Sequence, residues 1–326
     1  MTTEQIFESF NQLQVLIIGD VMLDSYIWGN VDRISPEAPV PIVSVKKRDY
    51  RLGGAANVAL NVQALGARPV LCALVGEDDA GKKLIDILQS LSITTEGLVH
   101  SGTRPTTVKT RVIASQQHVV RVDEESDREA DGEEERKLMA KITALLSQCD
   151  VVIFEDYDKG VINAAIIEQV VSLASQKGIP TVVDPKKRNF LSYKNVSLFK
   201  PNLKELREGL KVEVEAGNQM QVVNAVERVK EKLNTQGVMA TLSEHGVYID
   251  YADEKIKLPA HKREIADVSG AGDTVVAIAS LCAALKLPGK TIAFLANLGG
   301  GLVCQHVGVV PVDKKELLQE ALKTSF

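Results

Sequence analysis

The chain has 326 residues, with 38 Lys plus Arg against 43 Asp plus Glu, a formal net charge of −5. Hydrophobic residues make up 45% and charged residues 25%, enough apolar surface to order a chain, so general disorder is excluded. The negative balance argues against nucleic acid as the main partner, since phosphate binding needs a basic surface.

The start, MTTEQIFESF, lacks the basic and long apolar regions of a secretory signal, and a cytoplasmic protein is expected. QVLIIGD (14–20) reads as a continuous apolar strand closed by Gly-Asp. Residues 26–50, containing VPIVSVKKRDY, show partial period-two alternation of β-branched residues, and so do residues 106–123. Both predict exposed antiparallel strands of a small accessory sheet, suited to be a lid or a dimer face. RPVLCALVGED (68–78) is a second core strand. The acidic run 123–135 predicts a solvated helix entry, and 133–148 continues it as a helix with Leu138, Met139, Ile142, Leu145 and Leu146 at helical spacing. Strands follow at 150–156, 179–185, 197–202 and 238–246, with a helix at 164–175 between the first two. Residues 291–312 carry no formal charge, yet Asn297, Gln305, His306, Pro311 and the glycines at 299–301 favour a buried helix and turn over a membrane span. Buried strands alternating with helices predict an α/β fold with a mostly parallel sheet covered on both faces. No repeat or low-complexity linker divides it. Residues 1–326 are read as one domain, with the lid segments 26–50 and 106–123 inserted in it.

Cys72, Cys149, Cys282 and Cys304 have neither metal spacing nor a CxxC pair, and are read as small hydrophobes in a reducing compartment. The five histidines also lack metal spacing, and Trp28 is assigned to lid packing. Chemistry concentrates elsewhere. In DVSGAGDT (267–274) the Gly-Ala-Gly run lets backbone N–H groups crowd at a helix N-terminus, where they can stabilise a phosphoryl charge. Asp273 then stands beside that anion hole as a candidate general base; alone, the motif is equally a tight turn with a capping Asp. Gly53-Gly54-Ala55-Ala56-Asn57 opens a helix of small residues and puts Asn57 in its first turn. Asn202 and Glu205 of KPNLKE share a helix face and suit hydrated Mg²⁺ as well as a capping box. Asp24 follows the first strand, where open α/β sheets place ligands. No GxGxxG follows that strand, which weakens a dinucleotide oxidoreductase.

In this order the motifs resemble the ribokinase-like (PfkB) carbohydrate kinases over essentially the whole chain, GG-x-x-N and D-x-x-GAGD being the family signatures. Within that family the chain is most similar to the bacterial heptose 7-phosphate kinase branch, the kinase half of ADP-heptose synthases. The segments that carry this are GDVMLDSYIWGNVDRISPEAPVPIV, LGGAANVALNVQALGA, VVRVD, DPKKRNF and FKPNLKEL. The resemblance implies a ribokinase-like three-layer α/β/α fold with a β lid. It implies ATP- and Mg²⁺-dependent phosphorylation of the anomeric hydroxyl of D-glycero-β-D-manno-heptose 7-phosphate, towards ADP-heptose and lipopolysaccharide core. By this resemblance Asp273 is the catalytic base and Gly270, Ala271 and Gly272 form the anion hole. Asn202, Leu203, Lys204 and Glu205 meet ATP and its magnesium, with Thr241, Ser243, Gly246 and Asn297 beside the nucleotide. Asp24, Gly53, Gly54 and Asn57 contact the sugar, Lys109 and Arg111 its phosphate, and Asp267 and Ser269 a monovalent cation such as potassium. A homodimer through the lid is expected. The related synthases continue into a nucleotidyltransferase domain, so a stand-alone kinase is expected here. The chain departs from the branch at Ala114-Ser115-Gln116-Gln117 and at Leu242. Rival readings are a kinase for another sugar and a catalytically silent sugar-binding regulator.

Overall fold

The computed structural model describes residues 1–114, 117–261 and 263–323, so the Ser115-Gln116 departure lies outside the described residues. In chain order the first elements are α1 (Thr3–Ser9), β1 (Gln14–Gly19), β2 (Val21–Ile34), β3 (Pro41–Gly54), α2 (Ala55–Ala64), β4 (Arg68–Gly76), α3 (Asp79–Ser90), β5 (Leu98–Ser101), β6 (Thr107–Ala114), β7 (Gln117–Glu124) and α4 (Gly132–Leu146). Then come β8 (Val151–Glu155), α5 (Ala164–Gln176), β9 (Thr181–Asp184), β10 (Leu198–Phe199), α6 (Leu203–Leu210), α7 (Gln219–Leu233) and β11 (Gly237–Thr241). The chain ends with β12 (Val247–Tyr251), β13 (Glu254–Leu258), α8 (Ala271–Ala284), α9 (Gly289–Val303) and α10 (Lys314–Lys323).

Alternation along the apolar strands builds the layers. In β1, Val15 and Ile17 join one core and Leu16 and Ile18 the other, and Val151/Ile153 and Val152/Phe154 of β8 divide the same way. Among the described residues, nine strands form one sheet in the order β13-β12-β11-β10-β9-β8-β1-β4-β5. Helices α2, α8 and α9 cover one face, and α4, α5, α6 and α7 the other. The three-layer α/β/α expectation holds. The hairpin β12–β13 was not anticipated: it pairs antiparallel at the sheet edge, turning at Ala252 with φ +52°. No described helix is long and apolar enough to cross a membrane.

The second sheet, of four strands in the order β3-β2-β6-β7, is the lid. It differs from expectation in two ways. First, β2 begins at Val21 and β3 runs to Gly54, so Asp24 and the glycine pair belong to lid strands, with Asp20 alone between β1 and β2. Second, β2 and β6 pair parallel, because the chain enters each of them from the carboxyl end of a parallel core strand, β1 and β5. The base of the lid is tied to the loop after α9: Arg51 Nη1 donates to the carbonyls of Val307 (3.3 Å) and Val309 (3.1 Å). The acidic run ends as a helix entry, with Asp131 and Glu134 in a capping box, but Glu134 itself is buried. Cys72, Cys149 and Cys282 are buried and Cys304 half-buried; all four are free thiols.

Candidate active site

The sheet order places β4 on one side of β1 and β8 on the other, so connections leave in opposite directions and a crevice opens at the carboxyl ends of β1 and β8. The start of α8 lies against it. Gly270 has φ +80°, a conformation glycine adopts without steric cost, and a Cβ there would stand 3.0 Å from Asn57 Nδ2. The amide of Ala271 donates to the carbonyl of Val268 (3.3 Å), and that of Thr274 to Gly270 (3.0 Å). The amides of Gly272 and Asp273 are therefore the open donors of this helix end, where the helix dipole favours an anion.

Asp273 is 4% exposed. Asn57 Nδ2 donates to its Oδ2 (2.6 Å), and the Tyr157 hydroxyl donates to its Oδ1 (2.9 Å). Both oxygens are thus held by side chains from other elements, and neither caps α8. Burial pushes this carboxyl up to about 6, against the two hydrogen bonds, which favour the anion. Asn57 reaches it because the small residues Ala55, Ala56 and Ala59 bring α2 close to α8. A polar seam continues along the contact, where Asn61 Nδ2 donates to the Asn57 carbonyl (3.0 Å) and Thr274 Oγ1 to Asn61 Oδ1 (2.9 Å).

Tyr157 was not among the predicted site residues. Its loop is held by buried Asp20, whose carboxylate accepts the backbone amides of Tyr157 (2.8 Å), Lys159 (3.2 Å) and Val161 (3.1 Å). Burial and Asp156 push Asp20 up to about 6 despite those donors. The available signal was the strand-ending Gly-Asp at 19–20. Also unpredicted is the charge cluster beside the crevice. Glu155 and Asp184, paired across β8 and β9, are buried, and both Glu155 oxygens and Asp184 Oδ1 have no hydrogen-bond partner. Burial, Asp184 and Asp273 push Glu155 well above the usual carboxylate range. Lys200 Nζ lies 2.9 Å from Asp184 Oδ2, and Lys186 Nζ 2.7 Å from Glu205 Oε1. Burial opposes the Lys186 charge, but Asp184 and Glu205 outweigh it and hold the ammonium above its ordinary range.

Asn202 and Glu205 form the capping box: Asn202 Oδ1 accepts the Glu205 amide (2.9 Å), and Glu205 Oε2 accepts the Asn202 amide (2.7 Å). Thr241 joins Asn202 through a single β-bridge. Leu203 and Lys204 open α6; Ser243 and Gly246 follow β11 with φ +51° and +85°. Asn297 lies on α9, where its Nδ2 donates to the carbonyl of Pro259 (2.9 Å), a residue that a Cβ on Gly246 would meet. On the lid side, Asp24 pairs with Arg111, and a Cβ on Gly53 would meet the Asp24 carboxylate. Lys109 turns instead to Glu125 (3.9 Å). Asp267 spends Oδ1 on the Ser269 amide and Oδ2 on the Gly308 amide, both 2.9 Å.

The pfkB family carbohydrate kinase model matches residues 12–315. The chain belongs to the pfkB family of carbohydrate kinases. This kinase is 39% identical over 306 residues to the bifunctional protein HldE of Wolinella succinogenes, covering 94% of its own length and 64% of the relative's. It thus spans just under two thirds of that relative. Its fold is shared with a mutant of phosphofructokinase-2 from Escherichia coli (TM-score 0.79, 17% identity, 96% and 99% of the two chains). Arabidopsis thaliana ribokinase, complexed with ribose and ATP, shares it too (TM-score 0.73, 18% identity, 96% and 99%). In this kinase the predicted residues fall into two groups about the crevice. Asp24, Gly53, Gly54, Asn57, Arg111, Gly270 and Asp273 gather between lid and α8, while Asn202, Glu205, Thr241, Ser243 and Gly246 gather at the ends of β10 and β11.

Proposed function

We propose that this kinase transfers the γ-phosphoryl group of ATP to the anomeric hydroxyl of D-glycero-β-D-manno-heptose 7-phosphate, giving the 1,7-bisphosphate. The observation that carries the chemistry is the buried Asp273 carboxylate, fixed by Asn57 and Tyr157 beside the open amides of α8. The choice of sugar is supported by the lid and strand-end motifs shared with the heptose kinase branch and by the similarity to HldE.

Transfer is a matter of position and charge. Asp273 accepts the proton of the attacking hydroxyl as its oxygen bonds to the γ-phosphorus and the bond to the β-phosphate oxygen breaks. The Gly272 and Asp273 amides face the charge on the transferring group. The donor set suits magnesium, a hard cation that takes carboxylate oxygens and retains water: Asp184 Oδ1 is buried with no hydrogen bond, 3.8 Å from Lys186 Nζ, and Glu205 pairs with the same lysine. Asp184, Glu205 and Asn202 are the residues that would hold it, and it would neutralise phosphate charge when bound with ATP. Thr241, Ser243, Gly246, Leu203, Lys204 and Asn297 would flank the nucleotide.

We also infer a homodimer through the outer face of the lid. There Ile27, Val112 and Val120 align across β2, β6 and β7, and Val120 and Val122 are 49% and 48% exposed. An ADP-release assay across hexoses, pentoses and heptose phosphates tests the substrate. Turnover should be fastest on the heptose 7-phosphate; faster turnover of ribose or fructose 6-phosphate overturns that choice. Thermal stabilisation by sugars without ATP turnover would favour a silent regulator.

A further inference from the structure

Two lysines from different elements share one carboxylate beside this crevice. Lys159, on the loop between β8 and α5, lies 2.7 Å from Glu125 Oε1, and Lys109 of β6 lies 3.9 Å from Glu125 Oε2. Their side chains are 17% and 16% exposed, so neither is an ordinary solvated lysine. Lys159 is also held at both ends of its backbone. Its amide donates to Asp20 (3.2 Å) and its carbonyl accepts from Arg104, and both partners are buried. Arg104 keeps Nη1 buried without a partner, adding positive charge behind the loop. Asp123 and Arg121 are the other charges facing Lys109, and they pair with each other at 2.8 Å.

The position of this pair matters. Lys109 is the register partner of Asp24 in the lid, and Lys159 follows by two residues the tyrosine that holds Asp273. Two cations against one carboxylate leave an excess positive charge where the loop after β8 meets the lid strand β6. A phosphomonoester near pH 7 carries a charge of about −1.5 to −2 and three acceptor oxygens, and so matches two ammonium groups better than one carboxylate does. Arg111, by contrast, is committed to Asp24.

We propose that Lys159 and Lys109 form the subsite for the phosphate the sugar already carries, and that Glu125 holds that place until the phosphate displaces it. Glu125 is then an internal competitor. The inference rests on the phosphosugar reading above, which already assigns Lys109 to the phosphate, and adds to it Lys159 and the competing Glu125.

The test compares heptose 7-phosphate with the same heptose lacking the phosphate, in wild type, Lys159→Met, Lys159→Arg and Glu125→Gln. Losing a charge-assisted hydrogen bond to a dianion should raise KM for the phosphorylated sugar about 10- to 100-fold in Lys159→Met and collapse the preference for it over the free sugar. Lys159→Arg should restore most of that preference. Glu125→Gln should move the other way and lower KM for the phosphorylated sugar several-fold, an outcome that damage to the fold does not produce. If wild type prefers the phosphorylated sugar and Lys159→Met keeps that preference, or if Glu125→Gln raises KM, the inference is overturned while the phosphosugar reading stands. If wild type itself shows no preference, the reading fails and takes the inference with it.

Discussion

Replacing Asp273 with Asn should separate catalysis from stability. As a general base Asp273 is worth roughly 10²- to 10⁴-fold in kcat, and Asn cannot accept the proton. The stability effect has two opposed parts. Burial raises this carboxyl from 3.8 to about 6, a shift of about 2 units, so the ionised group costs the fold on the order of 3 kcal/mol above pH 6. Asparagine removes that cost. It also sets an amide donor against Asn57 Nδ2, now 2.6 Å from Asp273 Oδ2, which costs about 1–3 kcal/mol unless the Asn57 amide flips. The sign with pH follows from the direction of the shift. A carboxyl whose folded value is raised contributes stability below its unfolded value, near 4, and loses it as pH rises through about 6. The Tm of Asp273→Asn should therefore equal or exceed wild type at pH 8, and fall relative to wild type as pH drops towards 5. Scanning calorimetry at both pH values, with ADP-release kinetics at pH 8, measures both effects. A variant that turns over within a few-fold of wild type, or one whose Tm deficit grows towards pH 8, would refute this account.

The acid limb of kcat/KM should fall below about pH 6, where Asp273 takes up its proton. Tyr157→Phe removes a donor to the anion and should shift that limb upward with a roughly tenfold loss of kcat; an unmoved limb would argue against the contact. A Cβ on Gly272 stands 3.6 Å from Asp184 Oδ2, an ordinary contact, so Gly272→Ala should keep its Tm while rate and ATP affinity fall, as calorimetry and titration with ATP would report. Gly54→Ala should unfold readily, because φ is +57° and a Cβ would collide with the Asp20 carbonyl. Val120→Lys with Val122→Lys should leave a monomer by light scattering at micromolar concentration; an unchanged dimer would place the interface elsewhere.

The core strands and the start of α8 were legible because burial on both faces leaves continuous apolar runs, and because a glycine of positive φ, Gly270, opens the helix that carries the base. Pairing direction in the lid was not legible, since period-two alternation is the same in parallel and antiparallel strands and only the exit points of β1 and β5 decide it. Asn202 and Glu205 fit a cap and a metal site equally well by spacing; the structure forms the cap and sets Lys186 on Glu205. Asp184 and Glu155 read as strand ends, and nothing local announced that they would face each other beneath α8.

The sequence by itself determined the layered α/β architecture, the lid segments and Asp273 at the head of a glycine-led helix, all of them properties of short windows. Only the tertiary structure decided what holds Asp273. Asn57 lies 216 residues away in sequence and Tyr157 lies 116, and they meet it because strand order puts β1 beside β8 and small residues let α2 press against α8. Contacts across such separations are set by the packing of whole elements, which no local pattern encodes.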